Sequence, residues 1–455
     1  MKKKQFQKNA KQPENDTNNP QIVLILFLSF FILSFVGAGS FIIVSLVGLL
    51  LCMVGLMQGS VKVDLWVLLP LIFYNLLSLI SGYRTYGSSL EGLASTQWVF
   101  PVIYLLSAYL DAGDSARLKT LCAVWVGLMA AIGIGQFTAA AFSGTASRLA
   151  GIMGNPNAMG AMLAFGWFAL QSCIADAKED SPRKKLLTGL AFIVLCALAL
   201  TLSFGAFGAL AVGVVAMQLH NKGDFSSFIR LTAEIIFAGG CGVLLYIAGD
   251  LAASPLLCVL LCAYILAAAF LQDVIKAYFA GKKWLCAAIC LVGVGGAAVL
   301  LYLRPNAAAT FTERLAMIKN GLSYLGLSPL IGVGPYQWRA LNMVDADTYF
   351  NTWHIHNVFV HVGVELGLPA MALLIIAGLR HFRKREDSAQ RAEFFAALIH
   401  NLMDTSFFYV ATLPFLMMTL GRGGCKTRSL GKAAVRGYFG ISALFFAWNT
   451  VQCLL

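Results

Sequence analysis

The uncharged stretch Leu186-Leu-Thr-Gly-Leu-Ala-Phe-Ile-Val-Leu-Cys-Ala-Leu-Ala-Leu-Thr-Leu202 follows the highly charged run Asp176-Ala-Lys-Glu-Asp-Ser-Pro-Arg-Lys-Lys185. A membrane-spanning helix needs roughly 20 predominantly apolar residues, and the cytoplasmic loops that border such helices are rich in lysine and arginine. The same alternation of apolar runs and short charged loops continues along most of the chain. The pattern predicts an all-α fold, a polytopic transmembrane helical bundle of about 12 to 15 spans.

The composition indicates an integral membrane protein and excludes a soluble domain with a single anchor. Of the 455 residues, 59% are hydrophobic and 12% are charged, whereas about a quarter are charged in soluble proteins. The mean hydropathy is +0.77. The net charge of +12 does not indicate nucleic-acid binding, because the basic residues are dispersed through short loops where membrane topology requires them. The lipid bilayer is therefore an expected partner.

Breaks in the apolar pattern divide the chain into four parts. Residues 393–421 are predicted to form a tight hairpin near Thr405-Ser406, because a single span there would place the following basic residues on the outer face. The four parts are a cytoplasmic polar tail (1–20), an N-terminal transmembrane bundle (21–303), a long extracytoplasmic loop (304–356) and C-terminal transmembrane helices (357–455).

The distribution of basic residues predicts the orientation. When the apolar segments are threaded alternately from a cytoplasmic Met1–Pro20 tail, 27 of the 33 Lys and Arg residues lie on the cytoplasmic side. The long loop 304–356 then lies outside the plasma membrane. An anionic ligand such as a phosphate explains cations that remain on the outer face against this bias. These outer cations are Arg84, Arg148, Arg304, Arg314, Lys319 and Arg339.

The long loop 304–356 contains an amphipathic helix followed by a turn. The helix is predicted over Thr312–Leu327, and it is expected to lie along the membrane surface or to roof a cavity. The turn is Ser328–Pro335, where Gly332 and Gly334 permit the backbone to bend. The apolar stripe of the helix consists of Leu315, Ile318, Leu322 and Leu325. Aromatic residues after the turn either form an interfacial belt or stack on sugar rings: Tyr336, Trp338, Tyr349, Phe350 and Trp353.

His356-Asn357, where the long loop re-enters the membrane, is the sharpest candidate for chemistry. The free N–H groups and the dipole at the start of the next span disfavour imidazolium, so the ring is expected to be neutral. A neutral histidine at the outer surface can accept a proton from a sugar hydroxyl as a general base. The alternative is a polar helix cap in which Asn357 fills the capping hydrogen bonds.

Several motifs resemble those of the O-antigen ligase/polymerase family. The resemblance covers about residues 145–421, and it implies a multi-span bacterial glycosyltransferase of the inverting, metal-independent type. Members transfer a glycan from undecaprenyl pyrophosphate to an acceptor at the outer face of the plasma (inner) membrane. The motifs are Arg148-Leu-Ala-Gly-Ile-Met-Gly-Asn155-Pro-Asn157, Leu325-Gly-Leu-Ser-Pro-Leu-Ile-Gly-Val-Gly-Pro335, His356-Asn357-Val-Phe, Glu365-Leu-Gly-Leu-Pro-Ala370 and His400-Asn-Leu-Met-Asp404-Thr-Ser.

The resemblance assigns roles to individual positions. The essential histidine of the family corresponds to His356, the arginine that opens its long-loop helix to Arg314, and the arginine of its outer-loop motif to Arg148. A further arginine usually follows a serine at the end of a span, and in this chain Phe204 follows Ser203. One phosphate ligand is therefore missing, or another outer cation replaces it.

The chemistry of these positions also indicates an anion site. Asn155-Pro156-Asn157 starts a helix whose N-terminus binds anions through unpaired N–H groups, and Arg148 adds charge upstream. The forked donors of arginine suit a pyrophosphate. The alternative for Arg148 and Arg314 is contact with lipid phosphates. The residues expected to bind substrate are Arg148, Asn155, Asn157, Arg314, Asn357 and Arg339.

Two pairs of ionisable residues lie one helical turn apart: His361 with Glu365, and His400 with Asp404. Ionisable groups inside a membrane are functional candidates and need partners. A carboxylate bonded to His356 would orient its ring and stabilise its cation, and Asp404 is the first candidate for this catalytic role. A structural interhelical pair is the alternative.

The leading interpretation is a transferase of polyprenyl-pyrophosphate-linked glycan, either a polymerase or a ligase, whose acceptor is a glycan or a glycolipid. A transporter or flippase for a lipid-linked anionic glycan is an alternative, although its charges would lie near mid-membrane on broken helices. An inactive relative is a third interpretation, given Phe204. The sequence contains no nucleotide-phosphate loop and no metal-ligand cluster, so we expect no cofactor and an activated lipid as donor.

Overall fold

The structure is a computed structural model that describes residues 19–37, 40–87, 96–304, 306–344, 350, 352–382, 387–420 and 427–454. Nearly all of the polar tail predicted for residues 1–20 lies outside the described residues. So do residues 345–349 and 351 of the long loop.

Helices make up most of the regular structure of the described residues, which confirms the all-α prediction. A helix satisfies its own backbone hydrogen bonds, so it is the element that an apolar chain adopts where water is absent. A short antiparallel sheet pairs β1 (Val61–Val63) with β2 (Arg428–Leu430). The helices are α1 (Pro20–Leu33), α2 (Phe41–Leu56), α3 (Leu65–Tyr86), α4 (Val99–Ser107), α5 (Ala112–Phe142), α6 (Pro156–Ala175), α7 (Pro182–Leu200), α8 (Phe204–Asn221), α9 (Phe225–Tyr246), α10 (Pro255–Phe270), α11 (Gln272–Gly281), α12 (Lys283–Leu303), α13 (Ala307–Leu325), α14 (Gln337–Val344), α15 (Val358–Phe382), α16 (Ser388–Met403), α17 (Thr412–Leu420) and α18 (Lys432–Leu454).

Six helices in the described part of the chain are long and apolar enough to cross a membrane, and a seventh span results if the bent pair α10 and α11 counts as one. The chain is therefore a multi-pass membrane protein. The predicted count of 12 to 15 spans is higher because it included apolar runs shorter than roughly 20 residues. Length and charge explain the difference: α1 and α2 are short, and α7 carries Arg183, Lys184 and Lys185 in its first turn. The six are α3, α5, α6, α8, α9 with the turn that continues it, and α15.

Polar contacts show how α3 and α15 lie side by side. Next to the start of α3, Asp64 accepts a hydrogen bond from Arg380 Nε at 2.8 Å, and Arg380 is near the end of α15. Ser81, near the end of α3, donates to the carbonyl of Glu365 in the first half of α15 at 2.9 Å. The two helices are therefore antiparallel. His356, just before α15, lies at the end of this helix that is remote from Arg380.

The glycine-rich turn of the long loop packs into an interruption of α15. The interruption is at Gly367, whose φ of +88° is not helical. The N–H of Gly334 donates to the carbonyl of Glu365 at 3.0 Å. At Gly332 a Cβ would lie only 2.2 Å from the backbone of Glu365, so a larger residue does not fit. The turn 328–335 and the stretch around Glu365, which are separate motifs in the sequence, therefore form one unit.

The helix predicted over Thr312–Leu327 is present as α13. Met317 and Gly321 are buried, whereas Leu315 and Leu322 of the predicted apolar stripe are 51% and 54% exposed. Helix α13 packs against α15 through the face that carries the small Gly321, where close approach is possible. The two exposed leucines lie off this contact, on a surface that a membrane can cover.

The chain is interrupted near Thr405-Ser406, where the turn of a tight hairpin was predicted. Helix α16 ends at Met403, and a 3-10 turn covers Ser406–Phe408 before α17 begins. Helix α16 packs against α6 and α8. A Cβ added to Gly205 at the start of α8 would lie 3.9 Å from Asp404 Oδ2, so this packing brings Asp404 to the first turn of α8.

Candidate active site

His356 and Asp404 are in direct contact. His356 Nδ1 lies 3.2 Å from Asp404 Oδ1, and the two side chains are 21% and 5% exposed. Because His356 precedes α15 and Asp404 follows α16, the contact requires the ends of these helices to meet. Asn357 holds them together: its Nδ2 donates to the carbonyl of Leu402 at 3.1 Å, while its Oδ1 accepts from the N–H of Val360 at 3.0 Å. The predicted cap by Asn357 is therefore confirmed, and the ring of His356 takes no part in it.

Arg314 completes the group around Asp404. Its Nη2 donates to Asp404 Oδ2 at 2.9 Å, and its Nη1 donates to the carbonyl of Met403 at 2.7 Å. Its Nε is buried and has no hydrogen-bond partner among the described residues. A buried donor without a partner costs about 1–3 kcal/mol, which a ligand oxygen would recover. Arg314 is therefore placed to hold Asp404 and an anion together.

The charges around Asp404 keep this carboxyl ionised, and the carboxylate in turn determines which ring nitrogen of His356 carries the hydrogen. Burial alone would raise the pKa of the Asp404 carboxyl, but the hydrogen bond from His356 and the nearby His400 and Arg314 hold that pKa well below its usual range. The carboxylate is therefore ionised at neutral pH and accepts the hydrogen of His356 Nδ1. In that tautomer Nε2 carries the lone pair and can accept a proton.

Arg148 lies against the start of α6. Its Nη2 donates to Asn157 Oδ1 and its Nε to the carbonyl of Thr201, both at 2.9 Å. The predicted cap is confirmed, because Asn155 Oδ1 accepts from the N–H groups of Asn157 and Ala158 at 2.8 and 3.2 Å. These N–H groups are therefore occupied, contrary to the prediction that they are free for an anion. Arg148 is the part of this motif that offers charge.

Arg304 lies beside Phe204, the position at which the family that this sequence resembles has an arginine. Its Cζ is 5.6 Å from the centroid of the Phe204 ring. Its Nη1 donates to the carbonyl of Leu202 at 2.9 Å, next to the Thr201 carbonyl that binds Arg148. Two guanidinium groups are therefore held by the same turn between α7 and α8. Arg304 was predicted to be one of the outer cations. It was not assigned to the site, because no motif contains it.

The arginines of this cluster repel one another. Burial, and then the charge of Arg304, lower the pKa of Arg148 to about 10. Burial and the charge of Arg314 lower the pKa of Arg304. Asp404 forms an ion pair with Arg314, whereas neither Arg148 nor Arg304 has a carboxylate partner in the described part of the chain. Positive charge therefore exceeds negative charge, which favours an anionic ligand.

A polar cavity of about 740 Å³ adjoins this cluster. His356 and Asp404 line it together with Asn155 and Asn157. Tyr409, which no motif included, also lines it, and its hydroxyl is hydrogen-bonded to Asn155. Burial raises the pKa of Tyr409 to about 12, so the phenol remains protonated and can donate a hydrogen bond. The cavity offers donors and acceptors suited to the hydroxyl groups of a sugar.

A second cavity, of about 520 Å³, is apolar and is lined by Asn357, the residue that follows His356. Asn357 and Leu402 line one part of it, and Tyr104 and His381 line another. Because Asn357 precedes α15 and His381 is near its last residue, the cavity extends along the length of that helix. Most of the remaining lining side chains are apolar. Consecutive residues of the candidate site, His356 and Asn357, therefore line a polar cavity and an apolar one.

The predicted pair His361 and Glu365 is present, with Nε2 and Oε2 3.4 Å apart. His354 extends this group: its Nδ1 is 3.2 Å from His361 Nε2, and its ring stacks on Phe408. Burial, together with the nearby His356, lowers the pKa of His354 to about 4, so this ring is neutral at physiological pH. These side chains line the polar cavity and contact one another, whereas His356 contacts Asp404.

The predicted pair of His400 and Asp404 does not form a hydrogen bond. Asp404 has an extended backbone, with φ −156° and ψ −174°, so the spacing of one helical turn no longer applies. His400 Nδ1 instead lies 3.0 Å from Ser406 Oγ. Asp404 is thus directed to His356 and Arg314.

Arg339 lies at the periphery of the site. Its Cζ is 3.9 Å from the ring centroid of Trp353, which is 57% exposed and lines the polar cavity. None of the described arginines lines that cavity itself. Arg148 and Arg314 are bonded to Asn157 and Asp404, which line it, whereas Arg339 contacts Trp353.

Comparison of the sequence with models of protein families gives no match, and no curated protein matches it. Length and composition of the helices identify a multi-pass membrane protein. Any more specific function has to be argued from the geometry of the site.

Proposed function

We propose that the chain is a membrane glycosyltransferase of the O-antigen ligase/polymerase type, inverting and metal-independent. It transfers a glycan from undecaprenyl pyrophosphate to the hydroxyl of a glycan or glycolipid acceptor at the outer face of a bacterial plasma membrane. The observation that carries the proposal is the group in which Asp404 binds His356 with one oxygen and Arg314 with the other. This group places a candidate base beside a candidate anion ligand.

In the proposed reaction the proton of the acceptor moves to His356, and the electron pair of the broken bond leaves with the lipid pyrophosphate. The acceptor hydroxyl gives its proton to His356 Nε2 while its oxygen forms a bond to the anomeric carbon of the donor. The bond between that carbon and the pyrophosphate oxygen breaks, and the electron pair leaves with undecaprenyl pyrophosphate. Attack from the side opposite to the leaving group inverts the anomeric centre. Asp404 stabilises the imidazolium that forms.

The charge that develops on the leaving group needs cations. Arg148 and Arg314 supply fixed guanidinium donors, and the buried Nε of Arg314 has no other partner in the described part of the chain. Arginine is suited to this task because its donors form a planar fork that matches phosphate oxygens. Donors that are already in place before the reaction stabilise developing charge without a cost of reorganisation.

The two cavities suit the two parts of a lipid-linked donor. The polar cavity at His356 and Asp404 accommodates hydroxyl-bearing sugars, and the apolar cavity at Asn357 accommodates part of an isoprenoid chain. The boundary between sugar and lipid, which is the pyrophosphate, would then lie at the arginine cluster. A water-soluble sugar donor has no apolar chain that would occupy a cavity of this kind.

Reconstitution tests the proposal directly. The purified full-length protein in proteoliposomes is supplied with undecaprenyl-pyrophosphate-linked glycan and an acceptor glycan, in the presence of EDTA. We expect the glycan to be joined to the acceptor and free undecaprenyl pyrophosphate to accumulate. If the lipid-linked glycan instead crosses the bilayer with its pyrophosphate bond intact, the chain is a transporter and the proposal is wrong. Surface-glycan chain length in a deletion strain then separates polymerase from ligase.

A further inference from the structure

Phe204 provides a flat apolar surface against which Arg304 rests. The Arg304 Cζ is 5.6 Å from the centroid of the Phe204 ring, a distance typical of a cation–π contact. The ring is itself held in place by Phe207, with centroids 6.0 Å apart and planes at 83°. Phe204 is the first residue of α8, and Ser203 caps that helix by accepting from the N–H of Ala206. The first residue of α8 therefore helps to fix the position of the Arg304 guanidinium.

The turn between α7 and α8 fixes the same guanidinium from a second direction. Leu202 has a φ of +46°, a conformation that a leucine rarely adopts, and its carbonyl accepts from Arg304 Nη1 at 2.9 Å. The preceding carbonyl, that of Thr201, accepts from Arg148 at 2.9 Å. A backbone held in an unfavourable conformation at a candidate site is a sign of function, because the fold would otherwise relax it. One strained turn therefore positions two arginines.

The charges around this turn are not balanced by protein groups. Both carboxylate oxygens of Asp404 are occupied, one by His356 and one by Arg314. Arg148 and Arg304 are partly buried and have no carboxylate partner in the described ranges. Partly buried charges without a counter-ion are costly, so an anion that carries about two charges would fit here.

We propose that Arg304, resting on Phe204, is a further ligand for the pyrophosphate of the lipid-linked donor. With Arg148 and Arg314 it forms a site of three guanidinium groups. The inference rests on the proposed function for the identity of the donor, and it adds a residue that no motif assigned. Arg304 acts on the binding of the donor, and it takes no part in the transfer of the proton to His356.

Steady-state kinetics with the reconstituted protein test the role of Arg304. We expect Arg304→Ala to raise the KM for undecaprenyl-pyrophosphate-linked glycan on the order of 10- to 100-fold, the value of a charge-assisted hydrogen bond, with a much smaller change in kcat. Arg304→Lys should recover part of this loss, because the charge remains but the fork is lost. Lys319→Ala, which removes one exposed cation from α13, is the matched control and should leave KM unchanged.

A swap of the two residues makes the test sharper. The double variant Phe204→Arg with Arg304→Ala moves the guanidinium to position 204. It should restore most of the donor affinity that Arg304→Ala loses. Phe204→Leu keeps an apolar residue but removes the ring, and it should raise the KM by a few-fold. Size-exclusion profiles of all variants establish that each is folded. If Arg304→Ala is folded and its KM equals that of the wild type, the inference is overturned.

Binding of inorganic pyrophosphate separates this inference from the proposed function. The detergent-solubilised protein is titrated with pyrophosphate, and its thermal stability is measured as the readout. Stabilisation of the wild type that is lost in Arg304→Ala supports the anion site even if no glycan transfer is found. Glycan transfer by the wild type with equal pyrophosphate affinity in Arg304→Ala overturns the role of Arg304 and leaves the proposed function intact.

Discussion

His356 Nδ1 lies 3.2 Å from Asp404 Oδ1, although 48 residues separate the two in the chain. The carboxylate is almost fully buried and also accepts from Arg314, so neither partner is a mobile surface group. A buried carboxylate that binds one nitrogen of a histidine leaves the other nitrogen as the base. This contact is the most specific chemical feature of the molecule.

The first prediction concerns Asp404. Asp404→Asn keeps the shape of the side chain and its hydrogen bond from Arg314, but it removes the charge that stabilises the imidazolium. We expect glycan transfer by the reconstituted variant to fall on the order of 100-fold, within the range attributed to acid–base catalysis. A transfer rate within a few-fold of the wild type would show that Asp404 has only a structural role.

Asp404 should also contribute to the pH dependence of stability. Its pKa is lowered in the folded state, so the carboxylate stabilises the fold at pH values above the ordinary carboxyl pKa of about 3.9. The contribution decreases as the pH falls below that value, where the unfolded chain binds the proton first, and it is lost as the pH falls through the lower pKa of the folded state. Thermal unfolding in detergent between pH 7 and pH 3 should therefore show a steeper acid loss for the wild type than for Asp404→Asn. Equal slopes would contradict this assignment.

The second prediction concerns the arginines. Arg148→Ala and Arg314→Ala should each raise the KM for the donor and slow transfer, while the lysine variants should recover only part of the loss. Arg314→Ala has a further effect, because it leaves Asp404 buried with one fewer partner and should lower the melting temperature. The matched control is Arg84→Ala, which loses an exposed bond to Ser328 Oγ. Wild-type transfer by the double alanine variant would mean that the two arginines merely contact lipid.

Apolar runs and local turn chemistry predicted much of this structure from the sequence. The break of the chain near Thr405, the cap at Asn155 and the helix within the long loop all follow from residue types that act over a few neighbours. Such local signals do not depend on how helices pack. The glycine turn at Gly332 was likewise expected to bend, although nothing in its neighbours showed that it would fill the interruption at Gly367.

The parts that sequence reasoning missed depend on tertiary packing. The sequence did not show which apolar runs form helices long enough to cross a membrane, because apolar runs do not reveal where a helix begins and ends. The face of α13 that contacts the protein was not predicted, because Gly321, the smallest residue, sets the contact with Ile355. Arg304 and Tyr409 could not be placed at the site, since their partners Phe204 and Asn155 are remote in the chain.

The third prediction is the topology. The excess of basic residues in the other loops predicts that the long loop is extracytoplasmic. Met343→Cys, an exposed position on α14, should react with an impermeant thiol reagent in spheroplasts, whereas Glu179→Cys should react only after lysis. The exposed Cys453 is replaced first, so that it does not contribute to the signal. Protection of position 343 in spheroplasts with labelling of position 179 would invert the orientation and remove the site from the outer face.

The last prediction is that His356 is the base. Its ring contacts Asp404 and lines the polar cavity, so Nε2 is placed to accept the proton of an acceptor hydroxyl. Removal of a positioned general base typically costs 10²- to 10⁴-fold in rate, and His356→Ala should reduce glycan transfer by about this factor. Donor affinity should change little, since the arginines remain.

His354→Ala is the control that tests the register of this assignment. His354 is two positions earlier, its ring stacks on Phe408, and its Nδ1 is 3.2 Å from His361 Nε2, so it belongs to a different group in the same cavity. Loss of that ring should disturb packing and lower transfer only several-fold, far less than the loss expected for a general base. An inactive His354→Ala beside an active His356→Ala would move the base to His354 and refute the role assigned to the contact between His356 and Asp404.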